Sequence, residues 1–224
     1  LDIILSMIMA VTASYFLGAI PYAQLASRIK GVDVFTTGST QAGTANVFFN
    51  VGRRTGALVF VGDIAKGGTA VFMSSALGIP PDLILIAGVA AIIGHWKSVF
   101  TGFRGGDGMA PLMGGSLALT PSLSILGVAV GLATIVLMRH SPLRSTWGIA
   151  VCFVVMFAIS QYYQIERDLV TGLTILASLV LIRSMHTRRR RVSSTTHIVY
   201  RDTDENIEFE DDTVVESGLS LIQI

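Results

Sequence analysis

The chain has 224 residues, 51% of them hydrophobic and 14% charged, with a mean hydropathy of +0.65. That composition excludes a typical soluble domain and points to a polytopic membrane protein. The net charge of +1 hides an asymmetry, since residues 1–191 carry fifteen Lys and Arg against seven Asp and Glu, whereas residues 192–224 carry Arg201 against eight acids.

Apolar windows fall at about 3–27, 56–78, 82–100, 109–120, 122–138, 146–163 and 168–185. A helix needs ~20 residues to cross a bilayer. Five windows meet or approach that length; the fourth and fifth are short and split by Thr120-Pro121, which predicts a tight helical hairpin. The first window lacks a basic n-region and is expected to be a retained span rather than a signal peptide. Seven spans with the N-terminus outside place Arg28, Lys30, Arg53, Arg54, Lys97, Arg104, Arg139, Arg144, Arg183 and Arg188 to Arg191 inside, and leave only Arg167 outside. This is a positive-inside pattern, and a six-span count would break it. The expectation is an all-α integral membrane protein of about seven transmembrane helices, with a cytoplasmic C-terminus. It divides into a transmembrane domain, 1–191, and a disordered acidic cytosolic tail, 192–224.

The first inner loop, about 28–55, contains TTGSTQAGTAN from Thr36 to Asn46, long and polar without being charged. Long loops of that kind in compact proteins are often functional. The second span carries Asp63 and Lys66, three apart and so on one helical face, followed by Gly67. Ionisable groups inside a span are functional candidates, and here they are either a neutralised structural pair or a charge at the edge of a polar cavity. The third span ends in GHWKSVFTGFRGGDG, Gly94 to Gly108. Its clustered glycines allow close approach of backbone to a ligand, and N–H groups beside Arg104 make an anion cradle. A lone His95 gives no metal spacing, and no metal or cofactor is expected. Cys152, the one cysteine, excludes an intrachain disulfide and reads as a small hydrophobe. Arg183 and the run Arg188 to Arg191 read as an orientation signal with a weak contact to anionic lipid. No Walker loop, nucleophile elbow, zinc motif or histidine-plus-four-acids acyltransferase motif is present, and no nucleic-acid partner is expected.

Taken together, these pieces resemble the bacterial acyl-phosphate:glycerol-3-phosphate acyltransferases, the PlsY family, over about residues 14–191. Gly18-Ala19-Ile20-Pro21 matches the family's G-x-I-P. GSTQAGTAN keeps Gly38, Ser39, Gly43 and Asn46 of a motif that runs roughly GSGNIGATN, with Thr40 and Gln41 in place of Gly and Asn. D-x-x-K-G is intact at Asp63, Lys66 and Gly67. Gly94, His95, Phe100, Phe103, Gly105, Gly106 and Gly108 keep the register of the third motif.

The resemblance implies a seven-helix enzyme of the inner (plasma) membrane whose site opens to the cytoplasm. It would move an acyl group from acyl-phosphate to the 1-hydroxyl of glycerol 3-phosphate, with no cofactor. Membrane lipid is its surroundings, and the oligomeric state is left open. Ser39 and Asn46, with Gly38 and Gly43, would hold glycerol phosphate. Lys66 and Arg104 would supply positive charge, His95 would orient a loop or a substrate oxygen, and the backbone of Gly105, Gly106, Asp107 and Gly108 would cradle phosphate. His186 stands for the histidine of a C-terminal H-x-x-N-I pattern. The sequence departs from the family at Phe49 (Arg), Ser98 (Pro), Arg104 (Lys), Asp107 (Lys) and Arg189 (Asn). At an effective dielectric near 20, a charge ~4 Å away is worth about 4 kcal/mol, so reversal at Asp107 is not neutral. Two alternatives stay open: a family member that has lost catalysis and binds lipid or regulates, and a small membrane transporter.

Overall fold

The computed structural model describes residues 2–141 and 143–204, with side chains to residue 187. The chain forms two compact units, Leu1–Ser184 and Met185–Ile224. Among the described residues the structure is entirely helical: α1 (Ile3–Ala19), α2 (Tyr22–Ile29), α3 (Thr44–Asn50), α4 (Arg53–Ala76), α5 (Pro81–Trp96), a 3-10 turn (Val99–Thr101), α6 (Met109–Leu119), α7 (Pro121–Leu137), α8 (Arg144–Tyr163) and α9 (Arg167–Asp204). The expected boundary between residues 191 and 192 falls inside α9, and residues 205–224 lie outside the described residues.

Among the described residues, five segments are long and apolar enough to cross a membrane: Ile3–Ile29, Arg53–Ala76, Pro81–Thr101, Arg144–Tyr163 and Arg167–Thr187. Met109–Leu119 and Pro121–Leu137 are shorter apolar helices and correspond to the expected hairpin. Proline opens both α5 and α7 at the first helical turn, where its missing N–H costs nothing. Large apolar side chains face outward; Leu58, Phe72 and Val136 are 73%, 68% and 70% exposed. Such a surface suits lipid and would be a liability in water.

The first apolar window is not one helix. Pro21 cannot donate to the carbonyl a turn earlier, and its ring disfavours helix at the residue before it. α1 therefore stops at Ala19, and α2 restarts at Tyr22. The Ile20 N–H turns back to the Leu17 carbonyl and the Tyr22 N–H to the Ile20 carbonyl, so this end of α1 leaves carbonyls open to side-chain donors.

Glycines set the helix crossings. A Cβ on Gly67 would collide with the Pro111 carbonyl, and one on Gly114 with the Ile64 carbonyl, so α4 and α6 touch backbone to backbone. In the same way Gly18 abuts Ala91 and Gly94 abuts the Tyr15 carbonyl where α1 crosses α5, while Gly131 and Gly148 abut where α7 crosses α8. Lipid gives helices little hydrophobic reason to associate, so close packing of small residues supplies the attraction. These crossings hold α1, α4, α5 and α6 around one end of the bundle, where the polar residues gather. Gly114→Ala should lower the melting temperature in detergent, because overpacking costs about 1–3 kcal/mol. Gly88→Ala, with open space at its Cβ, should leave it equal or higher. Equal responses would show that the α4–α6 approach is not tight.

Candidate active site

The break after α1 fixes the floor of the site. Lys66, on α4, donates to the Gly18 carbonyl at 3.0 Å and to the Ile20 carbonyl at 2.8 Å. Its third partner is the Asp63 carboxylate at 2.9 Å, one turn earlier on the same helix. Ser98 donates its hydroxyl to the Ala19 carbonyl at 2.5 Å. Side chains thus satisfy the carbonyls of residues 18, 19 and 20, which matters where water is scarce. An ammonium has three donors, and each of Lys66's has a protein acceptor. Lys66, expected to lend charge to a substrate, lines the cleft and in this structure clamps the break.

His95, on α5, is buried, with Nδ1 3.7 Å from the same Asp63 oxygen. A Cβ on Gly106 would land on its Nε2, so only glycine lets the loop lie against the imidazole. Gly105 packs as closely on the carbonyls of His95 and Trp96. The Gly106 N–H donates to the His95 carbonyl at 3.2 Å, and Arg183 Nη1 donates to the Gly106 carbonyl at 3.2 Å. The Trp96 indole donates to the Asp107 carbonyl at 2.8 Å, and the Arg183 guanidinium lies 4.5 Å from the Trp96 ring. Gly108, at φ +88°, begins α6 in the left-handed region that glycine tolerates.

The 36–46 loop is braced by Asn46. Its Oδ1 accepts from the Ser39 N–H at 3.1 Å and from Asn50 at 2.9 Å. Its Nδ2 is shared among the carbonyls of Val34, Thr37 and Gln41 at 2.9–3.0 Å. Asn46, expected to hold substrate, is buried here with its amide engaged on both sides, and it braces the loop. Gly38 sits at φ +55°, and a Cβ there would strike the amides of Asn46 and Asn50. Thr40 follows at φ +54°, a conformation unusual for a β-branched residue. Ser39 between them is exposed, and Gly43 caps α3.

Between these parts lies a small, open-mouthed cleft. Lys66, His95, Arg104, Gly105 and Gly106 line it, with Asp63, Ser98, Ala42 and the turn from Gly18 to Ala23. Arg104 is exposed, with its guanidinium 4.0 Å from the Phe35 ring. Ser39, Gly38, Gly43 and Asn46 belong to the flanking loop, which reaches the cleft at Ala42. Asp107 meets that loop directly, accepting from Gln41 Nε2 at 2.8 Å. His186 falls in the second unit. Among the described residues, no three His, Cys, Asp or Glu side chains converge as a metal would require.

The arrangement joins fixed glycine backbone, one exposed guanidinium and a buried histidine–carboxylate–ammonium triad at the end of an apolar bundle. The glycerol-3-phosphate acyltransferase family model matches residues 8–194 of this chain. The chain belongs to that family. A relative from Geotalea daltonii, named glycerol-3-phosphate acyltransferase, is 33% identical over 199 residues, covering 88% of this chain and 99% of its own. One of the same name from Geobacter sulfurreducens is 32% identical, covering 82% and 92%. The crystal structure of PlsY, an integral membrane glycerol 3-phosphate acyltransferase, in its glycerol 3-phosphate form, superposes with a TM-score of 0.72 at 25% identity, covering 84% of this chain and 93% of that one. Its lysophosphatidic acid form gives 0.70.

Arg183, expected only as a topology signal, braces the glycine loop at Gly106. An arginine still within an apolar span, ahead of the basic run, was the available clue. If Lys66 is the clamp, Lys66→Met in this acyltransferase strands the Asp63 carboxylate and should cost about 3–5 kcal/mol in denaturant unfolding. Asp63→Leu with Lys66→Met should cost less than Lys66→Met alone. A Lys66→Met protein of unchanged stability would show that the ammonium is not structural.

Proposed function

We infer that this protein transfers an acyl group from acyl-phosphate to the 1-hydroxyl of glycerol 3-phosphate, forming lysophosphatidic acid and phosphate, the first step of phospholipid biosynthesis. The observation that carries this reading is the cleft, where the braced Ser39 loop and the Arg104–Gly106 loop face each other at the polar end of a lipid-compatible bundle. Family membership, and relatives that bear this enzyme's name along nearly their whole length, support it.

The chemistry asks little of a protein base. Acyl-phosphate is already activated, so positioning of two reactants is the main task. The glycerol hydroxyl attacks the acyl carbonyl, the carbonyl–oxygen bond to phosphate breaks, and a phosphate oxygen takes the hydroxyl proton. Arg104 and the loop from Gly105 to Gly108 hold phosphate and offset the charge growing on the acyl oxygen. Ser39, exposed on a loop fixed by Asn46, orients glycerol 3-phosphate. His95, held between Asp63 and Gly106, sets the face of the loop or a substrate oxygen.

The five long spans and the two short helices α6 and α7 together make seven crossings of the inner (plasma) membrane, with the N-terminus outside and the cleft on the cytoplasmic side. Charge placement supports this orientation. It predicts that a cysteine introduced as Gln164→Cys reacts with an impermeant maleimide on intact spheroplasts, and one introduced as Thr37→Cys reacts only after lysis. The reverse would invert the protein.

The function is tested with purified protein, acyl-phosphate and labelled glycerol 3-phosphate. Lysophosphatidic acid and phosphate should form in equal amounts. Arg104→Gln should raise KM for the phosphate substrates about tenfold, the equivalent of ~1.4 kcal/mol. No product from folded protein, beside an active relative, would refute the reading.

A further inference from the structure

The two polar loops of the cleft are joined by a side-chain hydrogen bond that spans 66 residues of sequence, from Gln41 Nε2 to Asp107 Oδ1 at 2.8 Å. Each end is seated on fixed backbone. The Gln41 carbonyl accepts from Asn46 Nδ2 at 2.9 Å, and the Gln41 side chain is buried. The Asp107 carbonyl accepts from Trp96 at 2.8 Å, while the adjoining Gly106 is held through its N–H by the His95 carbonyl and through its carbonyl by Arg183. Gly105 and Gly106 line the cleft, whereas Asp107 is outside that lining. Its carboxylate accepts from Gln41 away from that lining.

We propose that Gln41 and Asp107 are a positioning pair: a charge-assisted latch that sets the separation between the Ser39 loop and the Arg104–Gly106 loop, and with it the alignment of the acyl acceptor against the acyl donor. The proposal rests on the acyl-transfer reading above. A hydrogen bond to an ionised acceptor is shorter and roughly twice as strong as a neutral one. It ties the two loops, while the carboxylate keeps its negative charge. Chemistry that depends on positioning is sensitive to such a tie, because a misplacement near 1 Å can lower turnover on the order of 10²-fold. Neither side chain is required to touch a reacting atom, so the pair acts through the loops it joins.

The test exploits shape. Gln41→Glu keeps the side chain's size but sets two carboxylates against each other, and Asp107→Asn beside it restores a donor–acceptor pair with its direction reversed. Turnover and KM are measured for the wild type, Gln41→Glu and the combined variant, with thermal unfolding in detergent confirming that each is folded. Gln41→Glu should lower kcat by about 10- to 100-fold, within the range that misplacement produces, while KM for glycerol 3-phosphate changes far less. The combined variant should recover most of the lost turnover. Losses that multiply in the combined variant, or a Gln41→Glu protein with wild-type kcat, would overturn the latch.

An inactive wild-type protein would instead refute the parent reading. The latch is then judged by amide hydrogen exchange across residues 38–46. Protection lost in Gln41→Glu and regained in the combined variant upholds the tie between loops, and protection unchanged in Gln41→Glu refutes it.

Discussion

Pro21 has no N–H to give, and the helix it interrupts lies in an apolar bundle that offers few other donors. The carbonyls of Gly18, Ala19 and Ile20 are therefore taken by Lys66 and Ser98. Lys66 carries a charge into that position, and Asp63 on the same helix face neutralises it. Asp63 in turn approaches His95, and Gly106 donates its N–H to the His95 carbonyl and packs against the ring at Nε2. One break in one helix thus determines where α4, α5 and the glycine loop stand relative to each other.

The glycine crossings make this chain of contacts possible. Gly18 and Gly94 let α1 and α5 approach at backbone distance, so that the broken end of α1 and the histidine end of α5 share one space. Gly67, one residue beyond Lys66, does the same for α4 against α6. The small residues that associate helices in lipid flank the residues that form the site, so packing and chemistry are specified together. The loops are then trimmed by local devices: Asn46 on one side, and Trp96 with Arg183 on the other.

The positions of the apolar helices were legible because hydropathy is a long-range average over each of them. That averaging also hid the break at Pro21, which sits inside a window that looked continuous from 3 to 27. α3, Thr44–Asn50, lay unseen within a stretch that looked like loop, because seven residues give too little periodicity to reveal a helix. Spacing exposed the Asp63–Lys66 pair, but its other partners are main-chain carbonyls, which carry no side-chain signature. The hydrogen bonds that Asn46 and Lys66 make to main-chain carbonyls were not legible either, because a polar residue in a motif reads alike as a brace or as a ligand contact. Gln41 and Asp107, each a departure from the family pattern, proved to be in contact, which no reading of either position alone could reveal.

Lys66 should stay on the helix break when substrate binds, with phosphate met by Arg104 and the loop beside it. A structure of this protein with glycerol 3-phosphate bound tests it most directly. Lys66 Nζ should remain bonded to Asp63 and to the carbonyls of Gly18 and Ile20, with phosphate against Arg104. Lys66 withdrawn from those carbonyls and bonded to phosphate would contradict it.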